Sequence, residues 1–280
     1  MPIEPTSVQR DKMLVLDQKK RTLVQFLAGG DDFLNNDYLK HTQKATLEEG
    51  GERVLQTRID QVLAGGELPY RYITIDSYPS SESLLMAFEN TREMRQAAIS
   101  DIFAILVKPN PWVPKITRWL GFLTPRLSQW LGTSTEKPLI GFTDQANPDI
   151  EPVLETVEIL REHNGDVPFL MMNLNKFSPS EWKTRGRISG KSAYQFYSAR
   201  IMPYLISVGG YPALYGSVLS ILIGDKNNPI YENWNDFAMV YYPSRSHFLR
   251  LMTNTPKGAA KIRRAGLKKA VLMPCSSIEG

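Results

Sequence analysis

The chain has 280 residues, of which 42% are hydrophobic and 22% are charged, and its formal net charge is +4. This length and composition are typical of a soluble protein with two domains of ordinary size. The single cysteine, Cys275, excludes a disulfide within the chain and a cysteine-rich zinc site.

The N-terminal stretch MPIEPTSVQRDKM is polar and lacks the apolar core that a signal peptide needs. No window approaches the uninterrupted apolar run of about 18 residues that predicts a membrane-spanning helix. We therefore expect a cytoplasmic protein, with peripheral attachment at the inner face of the membrane as the alternative.

Positive charge is concentrated in two stretches without acidic residues. One lies between Asp101 and Glu136, and the other lies between Asp236 and Glu279. Such stretches are typical of a solvated helix face, and they also suit anionic lipid or a negatively charged small ligand. No recognised nucleic-acid-binding motif accompanies them, so nucleic acid is not an expected partner.

The first half of the chain predicts strand, helix, strand, strand, helix, strand. The segments are RTLVQFLAG, DDFLNNDYLKHTQKATLEEGG, RVLQTRIDQVLAGG, YRYITIDSY, SLLMAFEN and IFAILVKP. The glycine pair after the first helix suits a C-cap, because glycine adopts the left-handed conformation at little cost. The second helix follows the triplet Tyr-Pro-Ser, in which Ser80 is placed to act as its N-cap.

Residues 107–135 connect the two halves and carry large apolar side chains at helical spacing. Basic side chains lie off this stripe, which is typical of an interfacial helix on an anionic membrane. The alternative is a helix packed on its own domain or covering the barrel mouth. On the membrane interpretation, the predicted contacts are Trp112, Trp119 and Trp130.

The second half repeats the plan of the first. Its segments are PFLMMNLNKF, SAYQFYSARIMPYLISVGG, PALYGSVLSILIGD, DFAMVYY, HFLRLMTN and KKAVLMP. A second Tyr-Pro-Ser places Ser244 before its second helix. Tyr38 and Tyr197 each lie thirteen residues before the second glycine of their glycine pair. These shared features, spread over most of each half, predict a tandem duplication.

Each half is a β-α-β-β-α-β unit, the ferredoxin-like plan, with both helices on one face of the sheet. Two such units bury their remaining sheet faces against each other. We therefore predict an α+β fold, in which two ferredoxin-like repeats pack sheet to sheet as an intrachain dimeric α/β barrel. The predicted divisions are a first repeat (20–109), a Trp-rich amphipathic linker and helix (110–165) and a second repeat (166–275). The whole chain is expected to be a monomer or a homodimer.

The second half resembles the dimeric α/β-barrel superfamily and, within it, the bacterial domain-of-unknown-function family numbered thirteen-thirty. The resemblance lies in YQFYSARIMPYLISVGGYPALYGSV and NDFAMVYYPSRSHFLRLM, with Tyr194, Tyr197 and Pro203 on the helix. In the first half, Asn35 and Lys44 replace the first tyrosine and the proline. The resemblance implies the fold but no particular reaction, because the superfamily includes haem enzymes, cofactor-free monooxygenases, isomerases and ligand binders.

Polar and aromatic residues of the second repeat predict a small-molecule site with apolar walls and few polar groups. Strand alternation places Asn173 and Asn175 on one face together with Phe169 and Met171. Tyrosines and an arginine follow on adjoining turns of the next helix. The predicted ligand-binding residues are Asn173, Asn175, Tyr194, Tyr197, Arg200 and Tyr241.

Candidates for catalysis are fewer. The two candidate catalytic residues are His247, which could act as a general base, and Asp236. The three histidines, His41, His163 and His247, have no metal-ligand spacing, so no metal site is predicted. No cofactor is predicted, and haem, with His247 as its ligand, is the alternative.

These features predict a protein that binds a small apolar or aromatic molecule in a sheet-helix cleft, at a membrane surface if the linker docks there. One alternative is an enzyme of the same superfamily, either a cofactor-free monooxygenase or isomerase or a haem-dependent one. The other is a membrane-docked scaffold without a ligand. Whether the protein is an enzyme is left open by the sequence.

Overall fold

The computed structural model describes residues 4–15, 21–29, 32–138, 147–162, 167–179, 182–183 and 187–278. His163 lies outside the described residues. The described strands are β1 (Arg21–Gly29), β2 (Glu52–Ile59), β3 (Tyr72–Tyr78), β4 (Ile99–Pro109), β5 (Phe169–Phe177), β6 (Trp182–Lys183), β7 (Arg187–Ile188), β8 (Tyr211–Ile223), β9 (Asp236–Tyr242) and β10 (Leu267–Ser277).

The helices lie between and after these strands. They are α1 (Ser7–Val15), α2 (Asp32–Glu48), α3 (Ser81–Asn90), α4 (Arg92–Ala98), α5 (Trp112–Trp119), α6 (Thr124–Leu131), α7 (Leu154–Glu162), α8 (Gly190–Ser207), α9 (Arg245–Asn254) and α10 (Ala259–Gly266). A 3₁₀ turn, Leu120–Leu123, separates α5 from α6.

Eight strands form a closed barrel in the order β1-β3-β2-β10-β5-β9-β8-β4, and β4 returns to β1. Strands β1 to β4 make one four-stranded sheet, and β5, β8, β9 and β10 make the other. The two sheets join through antiparallel pairing of β2 with β10 and of β4 with β8. The predicted α+β fold of two ferredoxin-like repeats forming one barrel is therefore confirmed.

The two Tyr-Pro-Ser triplets perform the same local task in both sheets. Ser80 caps α3 by accepting a hydrogen bond from the backbone N–H of Ser83, and Ser244 caps α9 through the N–H of His247. Gly50 and Gly209, the first residues of the glycine pairs, have φ values of 72° and 76°. This left-handed conformation ends the preceding helix and favours glycine.

The barrel interior is packed with apolar side chains from both sheets. An eight-stranded barrel is just wide enough for side chains to fill it. The loop between β8 and β9 adds Ile230 and Trp234 to this core. Large buried members from the strands include Phe26, Phe103 and Phe237. Because side chains occupy the interior in this way, the outer faces of the sheets, under the helices, are the remaining places for a ligand.

The outer face of each sheet carries a second layer of core. Leu23 and Leu27 of β1 pack with Tyr38 of α2 in the first repeat. Phe169 and Met171 of β5 pack with residues of α8 and α9 in the second repeat. The outward face of β5 is therefore the one that strand alternation predicted.

Candidate functional site

Two glycines position α8 on the second sheet. A Cβ on Gly190, the first residue of α8, would lie 2.2 Å from the carbonyl oxygen of Ser178, just after β5. A Cβ on Gly266, at the end of α10, would lie 2.8 Å from the backbone nitrogen of Tyr194. Neither position has room for a side chain, since the opposing atoms belong to the backbone. This close packing holds the N-terminal half of α8 near the end of β5.

Under this half of α8 lies a buried hydrogen-bonded pair on the outer face of the sheet. Asn175 of β5 and Asp236 of β9 are direct cross-strand partners, and each is 2% exposed. The side-chain Nδ2 of Asn175 donates to Oδ1 of Asp236 at 2.8 Å. The hydroxyl of Tyr215 on β8 donates a longer hydrogen bond, 3.4 Å, to Oδ2. We refer to Asn175, Tyr194, Tyr215 and Asp236 as the Asp236 cluster.

Burial raises the pKa of Asp236 from 3.8 to about 6. Removing a carboxylate from water disfavours its charged form. The hydrogen bonds from Asn175 and Tyr215 and the positive charge of Lys191 act in the opposite direction but do not cancel the effect of burial. No described lysine or arginine forms an ion pair with this carboxylate. Asp236 is therefore a buried acid that changes its charge close to neutral pH.

Tyrosine rings from α8 form the wall beside the cluster. Tyr194 packs against Phe177 with ring centroids 5.6 Å apart and against Tyr197 at 5.7 Å. Burial and the nearby Asp236 raise the pKa of Tyr194 well above its usual range, while Arg263 of α10 acts in the opposite direction. Burial also raises the pKa of Tyr197, so both hydroxyls are neutral groups at the edge of the cluster.

The cluster retains unused hydrogen-bonding capacity. The side-chain Oδ1 of Asn175 is buried and has no hydrogen-bond partner among the described residues. A buried polar atom of this kind costs stability unless a ligand or water satisfies it. Asn173, two residues earlier on the same face, is half-buried and donates its Nδ2 to the carbonyl of Met171.

The first repeat shows that the fold does not require these polar residues. Counting along the paired strands from Tyr78 and Tyr242, the counterpart of the Asn175–Asp236 pair is Leu27–Tyr72. Leu27 and Tyr72 are both buried in the outer core of the first repeat. The same cross-strand position is thus apolar and aromatic in one repeat and polar and acidic in the other.

One buried acid of the first repeat, Asp76, has a cationic partner, unlike Asp236. Asp76 on β3 forms an ion pair with Arg53 of β2, with an Nε–Oδ1 distance of 2.5 Å. The same guanidinium donates to Gln56 and Thr42. Burial still raises the pKa of Asp76, although Arg53 opposes the change. The Asp76 group therefore has the character of a structural ion pair.

The structure separates some of the residues predicted to share a site. Asn175, Tyr194 and Asp236 come together, with Asn173 and Tyr197 alongside. The ring of Tyr241 packs against that of Tyr211 with centroids 4.9 Å apart. Tyr241 lies on the opposite sheet face from Asp236, because the two positions on β9 differ by an odd number. Arg200 is exposed and donates to the carbonyl of Lys257 in the loop between α9 and α10.

His247 lies at the far end of β9 from the cluster. Its Nδ1 is 2.7 Å from Oγ of Ser244 in the cap of α9. Asp236 begins β9 and Tyr242 ends it, a separation of about 20 Å at roughly 3.3 Å per residue. His247 and Asp236 therefore cannot act on one ligand atom.

No described histidine or cysteine lies at the Asp236 cluster. Histidine and cysteine thiolate are common axial ligands of haem iron. Among the described residues, His247 is at the other end of β9, His41 is on α2 of the first repeat, and Cys275 faces the barrel interior. None of these side chains reaches the cluster.

A separate groove of about 850 Å³ lies on the first repeat between α2 and the α3–α4 pair. Four of its nine lining residues are charged, and Glu89 there forms ion pairs with Arg10 and Arg92. It thus has the character of a solvated surface. Its lining residues are Asp37, His41, Glu89, Asn90, Arg92, Glu93, Met94, Ala97 and Ala98.

Tyr215 and Lys191 are members of the site's surroundings that sequence reasoning did not identify. Tyr215 lies on β8, where the alternation of inward and outward residues does not mark a site. Its hydroxyl reaches Asp236 because of the cross-strand register of β8 with β9. Lys191 lies in the first turn of α8, and its proximity to Asp236 depends on how that helix packs.

A closed eight-stranded barrel of two ferredoxin-like halves is the dimeric α/β-barrel fold. The structure is similar to a protein of unknown function from Rhodopseudomonas palustris, with 23% identity and a TM-score of 0.42. That match covers 47% of this chain and 98% of the other, so the other chain corresponds to about half of this one.

Two longer structures align with nearly the whole chain. One is an anthrone oxidase-like protein, with 10% identity, a TM-score of 0.45 and coverage of 94% of this chain and 93% of the other. The second is a mutant chlorite dismutase from Candidatus Nitrospira defluvii, with 8% identity, a TM-score of 0.46 and coverage of 95% and 94%. Likeness at this level concerns the fold alone. No protein-family model and no curated protein matches the chain.

Proposed function

We propose that the second repeat binds a small, mainly apolar or aromatic molecule at the Asp236 cluster. A hydroxyl or N–H group of the ligand donates to Asp236 or to Oδ1 of Asn175, and the rings of Tyr194 and Tyr197 pack against its apolar part. On this proposal residues 166–275 form the binding repeat, and residues 20–109 are mainly its built-in barrel partner.

One observation carries the proposal: the Asn175–Asp236 pair replaces Leu27–Tyr72 of the first repeat at the same place in the sheet. The fold forms with apolar residues there, so the polar pair serves something other than folding. A buried carboxylate without an ion pair lowers stability. Proteins keep such costly groups mainly at functional sites.

The first test is native mass spectrometry of freshly purified protein against its denatured mass. A discrete extra mass that is present in the wild type and lost in Asp236→Asn supports a ligand at the cluster. Glu158→Gln, an exposed position on α7, is the matched control and should keep the extra mass. An extra mass that Asp236→Asn retains would contradict the assignment of the site.

A second test needs no retained ligand. We expect 2-naphthol, a hydroxylated aromatic probe, to raise the melting temperature of the wild type, because a ligand that binds only the folded state stabilises it. Its methyl ether, which cannot donate a hydrogen bond, should raise it less. Asp236→Asn should remove this difference between the two probes, and an unchanged difference would count against a hydrogen bond to Asp236.

A second candidate function is acid–base catalysis at the same cluster. The observation that favours it is the pKa of Asp236, raised to about 6, since a general base works best with a pKa near the operating pH. A cofactor-free monooxygenase or isomerase would use such a base to remove a proton from a bound hydroxyl or carbon acid. Turnover with a rise in rate near pH 6, absent in Asp236→Asn, would favour the enzyme over the binder.

The family assignment belongs to the same proposal. Residues 166–275 are proposed to be a member of the domain-of-unknown-function family numbered thirteen-thirty, on the motif around Tyr194, Tyr197 and Pro203. A cytoplasmic location is likewise proposed, and cell fractionation tests it.

A further inference from the structure

The two linker helices and the turn between them, residues 112–131, show an inverted pattern of exposure. We call them the α5–α6 segment. Trp112 and Trp119 are each 69% exposed and Trp130 is 78% exposed, whereas Thr117 is buried. Ile116 and Phe122 are also exposed. A helix packed only on its own protein turns its large apolar side chains inward, but here the largest ones face outward.

The segment is nevertheless held against the second repeat. The backbone N–H of Asn110, just before α5, donates to the carbonyl of Tyr215 at 2.8 Å. Thr124 Oγ1 donates to the carbonyl of Ile206 at 2.8 Å, and Thr133 Oγ1 lies 2.7 Å from Ser207 Oγ. These contacts fix α5 beside β8 and α6 beside the C-terminal end of α8. The outward aromatic face is therefore a formed surface of the folded protein.

The charges on this surface all have one sign. Lys115, Arg118 and Arg126 are exposed on the segment, and no acidic residue occurs between Asp101 and Glu136. Lys115 Nζ lies 5.9 Å from the ring centre of Trp112. Exposed tryptophans flanked only by basic side chains complement the interface of an anionic bilayer, where indole rings lie at headgroup level and cations meet lipid phosphate.

We propose that the α5–α6 segment docks on the surface of a bilayer that contains anionic lipid. The tryptophans enter the headgroup layer, and the three basic side chains contact lipid phosphates. No described helix is long and apolar enough to cross a bilayer. The docking is peripheral, with α5 and α6 lying in the plane of the interface. It does not depend on the ligand proposed for the Asp236 cluster, so the two proposals can fail separately.

Docking would place the Asp236 cluster close to the membrane. Asn110, where the segment begins, is hydrogen-bonded to the backbone of Tyr215, and the side chain of Tyr215 reaches Asp236.

Vesicle cosedimentation tests the docking. The probes are vesicles of phosphatidylcholine alone and vesicles of phosphatidylcholine and phosphatidylglycerol in equal parts. We expect the wild type to sediment with the anionic vesicles only, and Trp119→Ser with Trp130→Ser to remain in solution. Phe196→Ser replaces an exposed aromatic residue on α8, outside the segment, and should bind like the wild type.

The electrostatic part is tested by charge reversal. Each basic contact with anionic lipid is worth about fivefold in affinity, so Lys115→Glu with Arg118→Glu should weaken binding by at least about twentyfold. Lys257→Glu with Lys261→Glu makes the same change of charge at exposed positions outside the segment and should leave binding nearly unchanged. Equal losses in both variants would show that net charge alone attracts the protein, which overturns the assignment to the segment.

A measurement on the wild type avoids the question of whether a variant folds. Brominated phosphatidylcholine, mixed with phosphatidylglycerol, should quench the tryptophan fluorescence of bound protein. Absence of binding to anionic vesicles, or binding without quenching, overturns the proposal. Sedimentation velocity without lipid tests whether a second copy of the chain covers this face instead. If the wild type is a dimer and Trp119→Ser with Trp130→Ser converts it to a monomer, the face belongs to a dimer interface and the proposal is overturned.

Discussion

Asn175 donates a 2.8 Å hydrogen bond to Asp236 across the paired strands β5 and β9, and both side chains are buried. The same cross-strand position in the first repeat holds Leu27 and Tyr72. The two repeats can therefore be compared within one chain. The same position of the sheet holds Leu27 and Tyr72 in the first repeat and Asn175 and Asp236 in the second. The fold therefore does not require the polar pair at this position.

Asp236→Asn should stabilise the protein at neutral pH. The folded-state pKa of about 6 lies above the unfolded value of 3.8. The stabilising contribution of the protonated Asp236 carboxyl group is therefore fully present below pH 3.8 and is lost as the pH rises through 6. Removing the charge should raise the free energy of unfolding by about 3 kcal/mol near pH 8 and by much less near pH 4. Thermal melts at both pH values measure this, and a variant less stable than the wild type near pH 8 would refute it.

Arg53→Met should destabilise the first repeat strongly. The substitution leaves Asp76 buried without its cation, which costs about 3–5 kcal/mol. The loss should be greatest at neutral pH and shrink in acid, because a protonated Asp76 no longer needs the partner. Urea unfolding measures the effect. The double variant Arg53→Met with Asp76→Leu should recover much of the loss, and no recovery would mean that Arg53 acts mainly through Gln56 and Thr42.

Gly266→Ala should displace α8. The new Cβ would lie 2.8 Å from the backbone nitrogen of Tyr194, and such overpacking costs about 1–3 kcal/mol. The near-ultraviolet circular dichroism of the packed tyrosines should also change. Gly121→Ala is the matched control, because a Cβ there meets nothing within 4 Å. Equal stability of the two variants would contradict the tight contact between α8 and α10.

Residues 166–280 expressed alone should self-associate. Separated from the first sheet, the second sheet exposes an inner face that includes Met172, Leu174, Phe237 and Met239. Two copies can cover these faces by rebuilding the barrel as a symmetric dimer. Sedimentation velocity should show a dimer, and Met239→Lys in the same fragment should prevent it. A stable monomer of the fragment would show that the repeats do not depend on each other.

Much of the fold could be read from local signals. The Tyr-Pro-Ser triplets predicted the caps at Ser80 and Ser244, since a serine before a helical run accepts the free N–H groups of the first turn. The glycine pairs predicted the helix ends at Gly50 and Gly209. Both signals depend on only a few neighbouring residues. They occur twice at matching positions, and this repetition predicted the duplication and the barrel.

The candidate site could be read only in part. Alternation along one strand correctly placed Asn173 and Asn175 with Phe169 and Met171 on the helix-facing side. The same alternation, applied to β9, places Tyr241 and Asp236 on opposite faces of the sheet, because they are an odd number of positions apart. Alternation does not predict which residues are neighbours across two strands, because the register depends on how the whole strands align. Tyr215 is near Asp236 for that reason alone.

The sequence by itself determined the two β-α-β-β-α-β halves, their barrel and the Trp-rich basic character of the linker, because these are properties of periodicity and composition within short windows. Only the tertiary structure decided that Asp236 is buried without an ion pair among the described residues and that Trp112, Trp119 and Trp130 face outward. Burial and exposure depend on which surfaces meet, and α8, α10 and the linker meet the second sheet through residues far apart in the chain.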